Sequence, residues 1–224
     1  SLANTMFILG LITALGILYV SYINTGSTSN AINSVIIAMI GIFIGYFYTA
    51  KPIKLSSLYG LGELSLFLAF GPLLTLGTGF AISSDTIILY SQEFYNLIIL
   101  GVPLGLLTTN ILFINQYPDY TSDKKVGKNN LVVLLGKKTS KWIYALNYAL
   151  AVGSLYFISQ NILNETQSTL FLYVLIPVTM IYSYYLISGL FKYYKSRKLI
   201  KYNIQTIYFH MFFSFVYMII LGSF

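Results

Sequence analysis

Ala31-Ile-Asn-Ser-Val-Ile-Ile-Ala-Met-Ile-Gly-Ile-Phe-Ile-Gly-Tyr-Phe-Tyr-Thr-Ala50 runs for twenty residues without a charge and ends at Lys51-Pro52. A helix of about 20 apolar residues, rising 1.5 Å per residue, crosses a hydrocarbon core of roughly 30 Å. The stretch therefore reads as a transmembrane helix. Comparable stretches lie at about Leu2–Ile23, Leu61–Ile82, Tyr95–Tyr117, Lys141–Ser159, Thr169–Leu190 and Ile204–Leu221. The fold class expected from this pattern is all-α: a polytopic transmembrane helical bundle of about seven spans. Its connections are too short for a soluble domain. Composition agrees, with 57% of the 224 residues hydrophobic and 8% charged. Soluble domains carry roughly 25% charged residues. So little charge suits a protein surrounded by lipid.

The charges that remain are sorted. Lys51 and Lys54 follow the second span, and Lys124, Lys125, Lys128, Lys137, Lys138 and Lys141 follow the fourth. Lys192, Lys195, Arg197, Lys198 and Lys201 follow the sixth, which accounts for all 13 basic residues. The other connections hold only Asp85, Glu93 and Glu165. In an alternating topology every basic residue falls on one side. The positive-inside rule makes that side cytoplasmic and the protein an integral, multi-pass membrane protein, with the cell membrane the expected location. The formal charge of +7 then speaks for anionic headgroups and an anionic substrate rather than nucleic acid. With no cysteine, disulfides and thiolate metal sites are excluded.

One basic connection also carries chemistry: Asn115-Gln-Tyr-Pro-Asp119-Tyr-Thr-Ser-Asp123-Lys124-Lys125-Val-Gly127-Lys128-Asn129-Asn130-Leu-Val-Val-Leu-Leu-Gly136. Steps of four residues advance roughly 40° beyond a full turn. Asn115, Asp119 and Asp123 therefore share one helical face, and Pro118 is compatible with a helix start or kink there. Two carboxylates and a carboxamide are hard oxygen donors suited to Mg²⁺, which binds one or two carboxylates together with substrate phosphates. Lys124, Lys125 and Lys128 are placed to neutralise phosphate oxygens. The bland alternative is a solvated loop whose charges only set topology.

This string resembles the second aspartate-rich motif of the UbiA superfamily of intramembrane prenyltransferases. Its ending is most similar to the 1,4-dihydroxy-2-naphthoate polyprenyltransferase branch, which makes menaquinone. Tyr48-Thr-Ala-Lys51-Pro52, Gly60-Leu-Gly62-Glu63 and Phe70-Gly71-Pro72-Leu resemble a second run of the same branch. The resemblance implies nine helices, two aspartate motifs, and Mg²⁺ ions that bind the diphosphate of a polyprenyl donor. Aligned this way, residues 1–224 form one transmembrane prenyltransferase domain, N-terminally incomplete, lacking two helices and the first motif. A divergent member with half a metal site is the alternative. Two departures stand out: Lys51 where the branch often has proline, and Leu58-Tyr59 where it has Tyr-Arg. Lys51 or Lys54 would have to replace the arginine's phosphate contact.

The implied reaction transfers a polyprenyl group from its diphosphate to an aromatic acceptor, either dihydroxynaphthoate or another quinone precursor such as 4-hydroxybenzoate. Asp119, Asp123, Lys124 and Lys128 are the expected catalytic residues, with Asn115, Asp119 and Asp123 on the metal. Asn115, Tyr48, Lys51, Lys54 and Lys125 are the expected substrate-binding residues. Tyr46, Tyr48 and Tyr117 could face a cation with their rings, or simply belt the interface. His210, the one histidine, sits mid-span and reads better as hydrogen-bonded than as catalytic. Glu63 is either structural or the orienter of a lysine. The spacings Gly41-x-x-x-Gly45 and Gly101-x-x-x-Gly105 allow close helix approach, and Pro72, Pro103 and Pro177 are expected to kink their spans. A transporter or a scaffold is the non-enzymatic alternative. Against the former, the spans lack buried charges and inverted repeats.

Overall fold

The computed structural model describes residues 2–83 and 85–222, apart from the side chains of residues 2–4, 6, 7, 11, 17, 21, 24 and 25. Its helices are α1 (Leu2–Thr25), α2 (Thr28–Thr49), α3 (Leu61–Phe70), α4 (Pro72–Ile82), α5 (Gln92–Lys125), α6 (Leu131–Asn161), α7 (Glu165–Leu170), α8 (Ile176–Tyr193) and α9 (Leu199–Gly222). No strand occurs among the described residues. Taking α3 with α4 and α7 with α8, six crossings are long and apolar enough to span a bilayer. In α1 the apolar core is shorter, Ile8–Val20. The bundle is the polytopic membrane fold expected from the hydropathy pattern.

Helix boundaries follow local chemistry. Ser27, Ser91, Asn130 and Asn164 cap α2, α5, α6 and α7, each accepting from a backbone N–H three residues on. Such caps satisfy donors that a helix start leaves orphaned. Capping at Asn130 starts α6 ten residues before the expected fifth span at Lys141, and the early turn is then redirected at Gly136, whose φ is 74°. The three span prolines behave differently. Pro72 opens α4 after a break at Gly71, and Pro177 follows a π-helical turn at Phe171–Leu175. Pro103 remains inside a continuous α5, as does Pro118 beyond the span.

The core lies among α5, α6, α8 and α9, around Phe113, Tyr117, Tyr144, Tyr148, Leu186 and Phe213. Polar side chains bond helix to helix there: Asn110 Nδ2 donates to the Tyr144 carbonyl at 3.1 Å, and Tyr217 Oη to the Leu100 carbonyl at 2.8 Å. Such bonds supply interhelical attraction where lipid removes the hydrophobic one. His210 belongs to this set. Its ring nitrogens meet Thr108 Oγ1 at 2.7 Å and Ser214 Oγ at 3.2 Å, a packing role.

Contacts between connections establish the two ends of the bundle. Asn129 N–H donates to the Ser57 carbonyl at 3.2 Å, joining the connections after α2 and α5. Lys137 shares a cavity with residues of the α8–α9 connection. The three basic connections thus lie at one end. At the other, Asn30 of α2 bonds the Asp85 carbonyl and the Ile87 N–H.

Candidate functional site

Asn115, Asp119 and Asp123 stand on successive turns at the basic end of α5, which continues through Pro118. Asp119 is exposed, whereas Asp123 is half-buried. Asp123 Oδ2 accepts from Asn130 Nδ2 at 2.7 Å and from Lys128 Nζ at 3.2 Å. The backbone explains how Lys128 returns to a residue five positions back. Gly127 adopts φ 71°, its N–H meets the Lys124 carbonyl, and the Lys128 N–H meets the Asp123 carbonyl at 2.9 Å. This paired bonding, closed by a left-handed glycine, is the Schellman ending of a helix. Asn115 Oδ1 accepts from Asn203 Nδ2 of α9 at 3.0 Å.

Glu63 joins this row to the glycine-rich connection. Its buried Oε1 accepts from Gln116 Nε2 and from the Leu131 N–H, each at 2.9 Å. A buried carboxylate needs such donors. Of the two readings open for Glu63, the structure supports the structural one: its partners are an amide and a backbone N–H, not a lysine. Gly60 completes the junction, since a Cβ there would lie 2.8 Å from the Leu131 side chain. The connection bearing Lys51 and Lys54 is thereby held against the one bearing Asp123 and Lys128.

The other expected residues sort by position. Tyr48 is half-buried at the end of α2, within electrostatic reach of Glu63. Lys51 and Lys54 are exposed. Lys124 and Lys125 are exposed in the last turn of α5, where ammonium groups also complement the helix dipole. Tyr46 is exposed, and Tyr117 is buried with its hydroxyl 2.9 Å from Ser140 Oγ. Sequence reasoning assigned no role to Gln116, Asn130 or Asn203. Asn130, ahead of the apolar run after Gly127, carried the signature of a helix cap. Asn203 carried no signal at all.

The donor chemistry fits a magnesium ion. Asp119 and Asp123 offer hard oxygens one turn apart, and no group of three acidic or histidine side chains occurs among the described residues. An ion there would take few protein ligands and complete its shell with water and phosphate oxygens, as magnesium commonly does. Buried Gln116 Oε1 and Asn203 Oδ1 also lack a protein donor among the described residues. Each belongs to a side chain bonded to a residue of the site, and each leaves acceptor capacity beside it.

Several known proteins share sequence with this chain. A 2-carboxy-1,4-naphthoquinone phytyltransferase of Synechocystis is 34% identical over 121 residues, covering 54% of this chain and 35% of the relative. A 1,4-dihydroxy-2-naphthoate octaprenyltransferase of Bacillus subtilis is 30% identical over 116 residues, 52% and 35% of the two chains. The Escherichia coli protein of the same description is 36% identical over 96 residues, 43% and 28%. The matched stretch spans about a third of the length of these relatives. No solved structure gives a significant match. The UbiA prenyltransferase family matches residues 2–216, nearly the whole chain, and the protein belongs to that family.

Proposed function

We propose that the protein transfers a polyprenyl group from polyprenyl diphosphate to an aromatic acceptor, 1,4-dihydroxy-2-naphthoate, in menaquinone biosynthesis. One observation carries the reading: the row Asn115, Asp119, Asp123 on a continuous α5, tied through Glu63 to the glycine-rich connection. The relatives named above act on naphthoate compounds, which supports the choice of acceptor. By the positive-inside rule the reaction faces the cytoplasm of the cell membrane.

Asp119, Asp123 and Asn115 would hold Mg²⁺, which when bound supplies charge stabilisation to the departing diphosphate. The chain's own residues do the rest. Lys124, Lys125 and Lys128, with Lys51 and Lys54 from the facing connection, bind and orient diphosphate oxygens. Ammonium groups fixed where negative charge develops lower the barrier to breaking the allylic carbon–oxygen bond. Lys128 has a second task. Paired with Asp123, it holds that carboxylate turned toward the basic connection. Tyr48 offers a ring face toward an allylic cation. The electron-rich acceptor ring attacks the allylic carbon, diphosphate leaves, and the ring rearomatises by losing the group on the attacked carbon, CO₂ where that carbon bears the carboxylate or otherwise a proton that passes to solvent or diphosphate.

The test uses membranes containing the full-length gene product. Asp119→Ala and Asp123→Ala are each expected to reduce Mg²⁺-dependent prenyl transfer to dihydroxynaphthoate at least roughly 10³-fold, the loss of about 4 kcal/mol of transition-state stabilisation. Chelation by EDTA should match that loss, and added Mg²⁺ should reverse it. Retained activity in both variants would overturn the site. Faster transfer to 4-hydroxybenzoate than to dihydroxynaphthoate would overturn the acceptor and leave the reaction standing.

A further inference from the structure

A second basic site lies between α5 and the α8–α9 connection. A cavity of about 390 Å³ opens between α5, the start of α6 and the α8–α9 connection, and Lys137, Lys195 and Arg197 line it. Successive helix residues are roughly 100° apart. Pro118 and Tyr117, the two α5 residues in the cavity wall, therefore lie roughly 100° and 160° around the axis from Asp119. Asp119 and Asp123 leave the axis on other bearings, whereas Asn115, bonded to Asn203 of α9, lies roughly 60° from Pro118.

Its charge is uncompensated. No acidic residue lines the cavity, and the ion pair found among the described residues is Lys128 with Asp123, elsewhere. Aromatic rings support the cations instead. Lys137 Nζ lies 5.4 Å from the centre of the Tyr120 ring, and Lys195 Nζ lies 5.5 Å from that of Tyr194. Like charges facing one small volume repel each other unless an anion joins them. Guanidinium and ammonium groups together suit phosphate oxygens, the fork bidentate and the ammonium as a point charge. The Ser196 hydroxyl, also in the wall, adds a donor. Leu199 and Ile200 continue the wall in apolar side chains, and Ile200 is half exposed at the end of a membrane-crossing helix.

We propose that this cavity binds a phosphate group, and that the apolar wall selects one carried on an anionic lipid. Basic pockets between membrane helices at the cytoplasmic side recognise lipid headgroups in this manner. A volume of about 390 Å³ lies within the range of small-ligand pockets. Its wall contains none of Asp119, Asp123, Lys124, Lys125 and Lys128, and the inference does not rest on the proposed function.

The experiment measures thermal unfolding of the full-length protein in neutral detergent, titrated with phosphatidylglycerol, phosphatidylcholine or inorganic diphosphate. Phosphatidylglycerol is expected to raise the midpoint and phosphatidylcholine is not. Each cation near the surface contributes roughly five-fold in lipid affinity. A combined Lys137→Gln, Lys195→Gln, Arg197→Gln variant should therefore bind phosphatidylglycerol roughly 100-fold more weakly. If that variant does not fold, Arg197→Gln alone, at an exposed position, should weaken binding roughly five-fold. Asp123→Asn should leave lipid binding unchanged. Inorganic diphosphate protecting the protein through the same three residues, with no advantage for the lipid, would keep the phosphate site and replace the lipid by a free anion. Equal protection by both lipids, undiminished protection in the basic-residue variants, or its loss in Asp123→Asn would overturn the proposal.

Discussion

α2 and α5 are both apolar enough to cross a membrane, yet they occupy different environments. In the apolar window of α5 half the residues are buried, against 6% of the window in α2. α5 packs against α3, α4, α6 and α9 and carries the carboxylate row at its basic end. α2 turns Ile36, Met39, Ile40 and Phe43 outward, packs Ile37 against the Leu76 and Phe80 cluster of α4, and is bonded through Asn30 at its start. Hydropathy measures compatibility with hydrocarbon, and lipid tails are as apolar as a neighbouring helix. It therefore identifies spans without saying which of them are central. Small and polar residues make that distinction, because each needs a specific partner.

The sharpest test of the contrast uses the two glycine pairs. A Cβ at Gly101 would lie 2.5 Å from the Gly71 backbone, and one at Gly105 would lie 2.5 Å from the Phe67 carbonyl oxygen. Those atoms are main chain and have nowhere to move. At Gly41 and Gly45 a Cβ would meet nothing within 4 Å, so the close approach expected for that pair is not made among the described residues. Gly101→Ala should destabilise at or beyond the upper end of about 1–3 kcal/mol for overpacking, with loss of monodisperse protein in detergent. Gly41→Ala should be neutral or mildly stabilising, because alanine favours helix by up to about 1 kcal/mol over glycine. Similar behaviour of the two variants in size-exclusion and thermal unfolding would break the comparison.

These pairs also mark how far the sequence could be read. Gly41 and Gly101 have the same spacing and an apolar setting, and nothing local separates them. The span pattern and the sorting of charge were legible because the membrane acts on every residue of a segment at once. The Asn115, Asp119, Asp123 row was legible because helical periodicity fixes a shared face. Its supports were not. Glu63 and Gln116 are 53 residues apart, and Asn115 and Asn203 are 88 apart, so their pairing depends on tertiary packing alone. The extended start of α6 was hidden for another reason: its apolar first turn, Leu131–Leu134, is too short to read as a span, and Gly136, Lys137 and Lys138 separate it from the apolar stretch that follows.

Glu63 gives the next largest effect, and it connects the two helices compared. Through Gln116 it touches α5, and through α3 it holds the connection that leaves α2. Glu63→Ala strands the Gln116 amide and the Leu131 N–H in a buried site, at about 1–3 kcal/mol. The glycine-rich connection should then drift from the carboxylate row, and kcat/KM should fall roughly ten-fold, equal to about 1.4 kcal/mol. Glu63→Gln keeps an acceptor oxygen for the Leu131 N–H and should recover most of both losses. If Glu63→Gln were as impaired as Glu63→Ala, charge rather than positioning would be the role of this residue.

Asn30 and Ile40 should give the smallest effects, and together they test whether α2 is held more by the bonds at its start than by its outward-facing middle. Its carboxamide donates to the Asp85 carbonyl at 2.8 Å and accepts from the Ile87 N–H at 3.0 Å. Ser27, one turn earlier, accepts from Thr86 Oγ1 at 2.9 Å. Asn30→Ala removes both bonds of the carboxamide and leaves a buried N–H at Ile87, so a loss of about 1 kcal/mol is expected. Ile40→Ala, in the outward-facing middle of the same helix, should change stability by less than about 0.5 kcal/mol. Neither change touches the basic end, so prenyl transfer at saturating substrate should match the wild type for both. Were Ile40→Ala the more damaging of the two in thermal unfolding, the middle of α2 would be packed against protein rather than lipid.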